Sequence, residues 1–254
     1  MFDLIDESGK DLSKYGYNVK ALSRYGASLA YLNVDSPEKS KRLAFAMGEY
    51  FIINAPTVHE EGERECEFIQ GVLTNALKQL FKSKRIKKSS RILLVGLGNP
   101  DILADNLGKA VLDGVEADVL KKSNRLYKIC PNIYPVTGID TFEFVKLIAA
   151  GVNAEAVIIV DSLATNEITR LATSFQLTSV GLAPGSGVNK KVRRICEEEL
   201  GVPCISIGVP LMCFARGLNA DAPEELILTP KDIHENLYTV SYIIGKALNK
   251  VLNG

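Results

Sequence analysis

Two aspartates fall where a carboxylate can do chemistry. Asp161 directly follows the apolar run VIIV (157–160), and Asp105 opens a helical pattern a few residues after the apolar run RILLVGLGN (91–99). Each run reads as a buried parallel strand, so both carboxylates are expected at strand C-terminal ends, where α/β sheets gather functional groups. An ionised carboxylate at the edge of a core needs a partner or a raised pKa. Two such groups at one sheet edge can share a proton, one acting as base on water while the other supplies an acid, which is the chemistry of peptide hydrolysis. Either aspartate also suits a plain helix N-cap.

Other constellations are poorer. The turn GLGNPDILADNLG (96–108) offers Gly96 and Gly98, but the third glycine of a dinucleotide fingerprint is replaced by Asp101, whose charge repels a pyrophosphate. The glycines then serve a tight strand-to-helix turn. Asn99 and Asp101 lie in that turn, and Ser162 follows Asp161, so all three are candidates to line a substrate site. In the loop GLAPGSGVN (181–189), Gly185, Ser186 and Gly187 suit a backbone N–H cradle for an oxyanion or a substrate carbonyl. Ser186 lacks the GxSxG setting of a nucleophile. The two histidines, His59 and His234, show no metal-ligand spacing, so neither metal nor cofactor is expected.

At 254 residues with 46% hydrophobic content, the chain can bury a full core. Thirty basic residues balance thirty acidic ones, and the basic run from Lys82 to Lys88 is short, so no global charge points to direct nucleic-acid binding. No stretch approaches the length of a membrane span, and MFDLIDESGK is not a secretory leader. Five cysteines without a CxxC pair read as free thiols in a reducing cytoplasm.

The elements that must hold these residues alternate. EYFIINAP (49–56) reads as a strand, about 60–81 as an amphipathic helix, 105–120 as a helix, and 137–151 as a helix opened by Asp140 with Glu143 three residues on. AEAVIIVDSLA (154–164) reads as a strand ending in its carboxylate, SFQLTSVG and PCISIGVP as further strands, and NKKVRRICEEELG as a charged helix closed by Gly201. A C-terminal helix is expected from Thr229 as N-cap with Pro230 in its first turn. The segment 1–40 lacks periodicity and reads as loose or edge-packed. The pattern implies one α/β domain over 1–254, a three-layer α/β/α sandwich with five or six mainly parallel strands.

Taken together, GEYFIINAP, VGLGNPDILADNLG, IIVDSLA, GLAPGSGV, LGVPCISIGVP and LTPKDI resemble, in order, the germination proteases of spore-forming bacteria, which degrade small acid-soluble spore proteins. The resemblance runs from about Lys41 to the C-terminus. It implies an endopeptidase of the cytoplasm, forespore or spore core, a fold similar to the hydrogenase-maturation peptidases, a spore-protein substrate and a possible homo-oligomer. Asp105 and Asp161 match the two aspartates the family is thought to use, with Asp101, an acidic residue the family's turn usually lacks, as a rival to Asp105. The family is also longer and made with an N-terminal prosegment, to which the segment 1–40 does not match, and SVGL stands where it commonly carries an acidic residue and a threonine. A member that has lost catalysis and binds spore protein without cutting it is the alternative.

Overall fold

The computed structural model describes residues 4–60, 62–116, 125–183, 193–223 and 226–253. The chain opens with β1 (Asn18–Ala21), β2 (Ser28–Val34), α1 (Pro37–Leu43) and β3 (Gly48–Asn54), then α2 (Glu63–Ser83), β4 (Ile92–Gly96) and α3 (Leu107–Gly114). It continues through β5 (Leu126–Ile129), α4 (Tyr134–Thr137), α5 (Thr141–Gly151), β6 (Ala156–Thr165) and β7 (Ser174–Thr178). Last come α6 (Glu197–Leu200), β8 (Cys204–Phe214), β9 (Ile227–Leu228) and α7 (Ile233–Leu252).

The strands form a mixed sheet in the order β1-β2-β3-β7-β8-β6-β4-β5, with β9 added to β8. Among the described residues, β4/β5, β4/β6 and β6/β8 are parallel and the other five strand pairings are antiparallel. The expectation of five or six mainly parallel strands is therefore corrected. The N-terminal segment before Lys41 is not loose, because β1 pairs antiparallel with β2 and β2 with β3, extending the sheet at one edge, and the remaining antiparallel pairings join β3 to β7, β7 to β8 and β8 to β9.

Alternation along the strands divides the core between the two sheet faces. Ile92 and Leu94 of β4, Ile158 and Val160 of β6, and Ile205, Ile207 and Val209 of β8 pack against α2, α3 and α7 through Leu73, Leu77, Val111, Ile243, Ile244 and Leu248. The intervening residues Leu93, Val95, Val157 and Ile159 point the other way, onto Phe142 and Val145 of α5. On that second face, Ala30, Leu32, Tyr50 and Ile52 of β2 and β3 gather Ile5, Leu12 and Leu43 into a separate cluster. The N-terminal segment is thereby anchored.

Local signals decide several element ends. Asp140 caps α5 by accepting the Glu143 N–H at 3.2 Å, as its spacing predicts. The helix expected over 105–120 starts only at Leu107, because Leu103–Asp105 form a 3-10 turn first. The charged helix is reduced, within the described residues, to Glu197–Leu200, closed by Gly201 in the left-handed region. Thr229 is not a cap: α7 begins at Ile233 after Asp232, which places Pro230 before the helix.

Candidate functional site

β6 runs through Asp161 to Thr165 because β8 continues to pair with it there. Asp161 is therefore inside the strand, not at its end, and only 9% exposed. It shares a face with Val157 and Ile159. Its partner in β8 is Gly208, whose partner in β7 is Gln176. Directly opposed residues point to the same side, so Asp161 and Gln176 flank Gly208, about 10 Å apart at Cα by two strand spacings. Leu163 leans over Gly208, where a Cβ would lie 2.6 Å from the Leu163 Cγ.

The whole of β7 is polar on this face and buried. Ser174 Oγ donates to Asn54 Oδ1 at 2.7 Å, Gln176 Oε1 accepts the Ile5 N–H at 2.9 Å, and Thr178 Oγ1 lies 2.9 Å from Ser206 Oγ. Ser206 Oγ also donates to the Gly181 carbonyl at 3.2 Å. A polar strip thus separates the two apolar clusters of this face.

Asp105 reaches the same edge by another route. Leu97 N–H still donates to the Val160 carbonyl at 2.8 Å, so residues 97–98 run on beside Asp161 and Ser162. The chain turns at Gly98, whose φ of 105° favours glycine, and comes back through the 3-10 turn with Asp105 pressed against it. A Cβ at Gly98 would stand 2.0 Å from the Asp105 carbonyl oxygen and 2.8 Å from its Oδ1. Asp105 Oδ2 accepts the Asn99 N–H at 2.8 Å. Burial raises the Asp105 pKa against the opposing pull of that hydrogen bond. Leu107 N–H donates to Ser162 Oγ at 3.3 Å, tying the start of α3 to the neighbour of Asp161.

Among the expected site residues, Asn99, Asp105, Asp161 and Ser162 therefore occupy segments joined by direct hydrogen bonds. Asp101 is exposed, and its N–H donates to Asn99 Oδ1 at 3.0 Å. Gly185, Ser186 and Gly187 lie outside the described residues, whose flanks Leu182 and Ile195 pair through hydrogen bonds of 2.9 and 2.7 Å. Gly96 and Gly108 are explained by packing: a Cβ on Gly108 would come within 2.4 Å of the Leu97 carbonyl oxygen.

His59 Nε2 lies 2.9 Å from the Ala172 carbonyl oxygen, and His234 is exposed at the start of α7. Among the described residues no three His, Cys, Asp or Glu side chains are grouped to hold a metal ion, and no helix is long and apolar enough to cross a membrane. Burial pushes the Cys204 thiol up to about 12, which suits a packing role. Sequence reasoning passed over Gln176 and Ser206. The strict alternation of SFQLT was the available signal, but it describes a half-solvated strand as well as a buried polar strip.

The sequence matches the germination protease family over residues 5–224. A germination protease of Caldanaerobacter subterraneus is 30% identical over 247 residues, which cover 92% of this chain and 74% of that one. One from Clostridium tetani is 25% identical, covering 93% and 88%, and one from a Geobacillus strain is 28% identical, covering 77% of this chain and 55% of its own length. Among solved structures, a nickel–iron hydrogenase maturation protease from Thermococcus kodakarensis matches 70% of this chain and 99% of its own at 16% identity and a TM-score of 0.43, a likeness that assigns no residue a role. With the family match spanning most of its length, this chain belongs to the germination protease family.

Proposed function

We propose that this chain is an endopeptidase in which Asp105 and Asp161 together activate water. The observation that carries the reading is the pair of ties between the two carboxylate-bearing segments, Leu97 N–H to Val160 and Leu107 N–H to Ser162. The raised pKa of Asp105 suits the acid, which must keep its proton near working pH, and leaves Asp161 as the base. In the reaction, water oxygen attacks the scissile carbonyl carbon while Asp161 takes a water proton. Asp105 then protonates the departing amine nitrogen as the C–N bond breaks.

Beside this pair, Asn99 and Ser162 orient the turn and the strand, and the role of stabilising the developing oxyanion is assigned to Gly185, Ser186 and Gly187. Exposed Asp101 is the weaker partner for Asp161 because it stands in solvent, whereas Asp105 is half-buried against the turn at Gly98. Further parts of the proposal are one α/β domain layered on both sheet faces, as the two apolar clusters support, a location in the cytoplasm or spore, and assembly as a homo-oligomer. The substrate class is the small acid-soluble spore protein.

Mass spectrometry of such a protein incubated with wild type and with Asp161→Asn tests the reading. Discrete fragments from wild type alone support it. A spore protein that stays whole but binds points instead to a non-catalytic binding member.

A further inference from the structure

A polar pocket of about 240 Å³ opens at the carboxyl end of β3, with Asn54, Pro56, Glu167, Thr169, Arg170 and Ser174 in its walls. Strand ends of this kind are where α/β sheets take ligands. The pocket is nevertheless separate from the aspartate site. The N-terminal segment passes between the two, with the Ile5 N–H on Gln176, level with Asp161 across Gly208, and Glu7 accepting from Asn166 beyond the end of β6. Three of the lining side chains have hydrogen bonds left to make. Arg170 engages Asp6 through Nη1 and Glu167 through Nε, while its Nη2 has no partner among the described residues. Asn54 accepts the Ser174 hydroxyl through Oδ1 at 2.7 Å, and its Nδ2 donates to no described residue. Glu167 offers Arg170 only Oε2, which leaves Oε1 as an acceptor. Among the described residues, the sealed side-chain polar atoms without a partner are Ser8 Oγ and Asn106 Oδ1, so these three atoms stay open to a ligand.

Two N–H donors beside one carboxylate oxygen suit a ligand that carries an acceptor and a donor close together. Charge narrows the choice. Arg170 and Glu167 cancel, and Asp6 and Glu7, which also face Arg170, tip the balance negative, so an anion is disfavoured. A simple cation would leave both N–H donors without an acceptor. A primary amide meets every demand, and the volume holds a side chain of that size but not a nucleotide. We propose that this pocket binds a neutral carboxamide, the side chain of a glutamine or asparagine in a polypeptide. Its carbonyl oxygen accepts from Arg170 Nη2 and Asn54 Nδ2, and its NH2 group donates to Glu167 Oε1. This site stands or falls apart from the protease reading above.

The test is an amide NMR titration of the full chain with N-acetyl-glutamine N-methylamide, which presents the side chain as a polypeptide does. Saturable shifts are expected at Thr169, Thr173 and Ser174, with a Kd on the order of 1 mM for so small a probe. Asn54→Asp keeps the acceptor for Ser174 but lacks the donor, and is expected to weaken binding about tenfold, the scale of one hydrogen bond. Thr169→Phe, at an exposed position on the pocket wall, is expected to abolish binding and serves should the Asn54 variant fail to fold. The glutamate analogue is expected to bind at least about tenfold more weakly than the glutamine one, a gap that Glu167→Gln narrows. Free glutamine binding more tightly than the blocked compound overturns the polypeptide as the source of the amide. No saturable shift, equal binding by Asn54→Asp and wild type, or a glutamate or lysine analogue binding as tightly as glutamine overturns the site.

Discussion

The Asn99 N–H and the carboxylate of Asp105 meet at 2.8 Å in a site where burial and hydrogen bonding pull the same pKa in opposite directions. Burial wins, and the folded-state pKa is raised. The sign of the linkage follows: stability from this group is fully present below the unfolded carboxylate pKa and is lost as pH rises through the folded one. Above the unfolded carboxylate pKa, holding this carboxyl in its buried place thus costs the fold stability. Asp105→Asn, which keeps an acceptor for Asn99, is expected to melt above wild type at pH 7, with the gain shrinking towards nothing as pH falls below about 4. Melting curves across that range decide it, since a gain constant with pH removes charge burial as the cause.

Gly98→Ala should damage stability and activity together. Its φ of 105° costs a side-chain-bearing residue about 1–3 kcal/mol, and the added carbon would fall 2.0 Å from the Asp105 carbonyl oxygen, so the turn carrying Asp105 must move. Gly71, inside α2, has nothing within 4 Å of the same added atom. Gly71→Ala is expected to stabilise by about 0.5–1 kcal/mol and leave cleavage unchanged. Denaturant titrations of both variants beside cleavage rates test the contrast, which fails if Gly98→Ala retains wild-type turnover.

The turn at Gly98 also marks how far the sequence could be read. VIIV and ILLV had to be buried strands, and a glycine turn had to follow the second, so the neighbourhood of both aspartates was legible from residue type alone. Strand direction was not. A crossover helix and a short antiparallel connection look alike when the connection is itself helical, as with α1 between β2 and β3. Nor was the depth of Asp161 legible, because where β6 ends depends on β8, a strand distant in sequence, continuing to pair beyond Gly208. For the same reason SFQLT hid its meaning: only its place between β3 and β8 turns an alternating strand into a buried polar strip.

Arg170 should prove to be what holds the N-terminal segment down. Its Nη1 donates to both Asp6 oxygens at 2.9 and 2.8 Å and its Nε to Glu167 at 2.8 Å. The neighbouring Glu7 accepts from Thr165 Oγ1 and from Asn166 N and Nδ2, the latter two at 2.9 and 3.1 Å. With side-chain exposures of 17% for Arg170 and 11% for Asp6, the pair is shielded but not dry. Arg170→Ala leaves Asp6 without its cation and is expected to cost about 2–3 kcal/mol, below the range for a fully buried pair. Limited trypsinolysis should then cut first at Lys10. Unchanged stability together with an unchanged first cut would show that the apolar contacts of Ile5 and Leu12 suffice.

The strongest test of the aspartate pair is whether its two members act as a unit. Asp161→Asn removes the proposed base and Asp105→Asn the proposed acid, and each is expected to lower kcat for spore-protein cleavage by at least about 100-fold. Groups that work only together lose nearly everything with the first substitution, so the double variant should be scarcely slower than the worse single one. Groups that contribute independently would instead multiply their losses. The pH profile supplies a second reading. The alkaline limb of a bell-shaped rate curve should belong to the raised carboxyl of Asp105 and vanish in Asp105→Asn, whose residual rate should no longer fall as that carboxyl ionises. Multiplicative losses with an alkaline limb intact in Asp105→Asn would take Asp105 out of the chemistry and leave Asp161 to act with some other group.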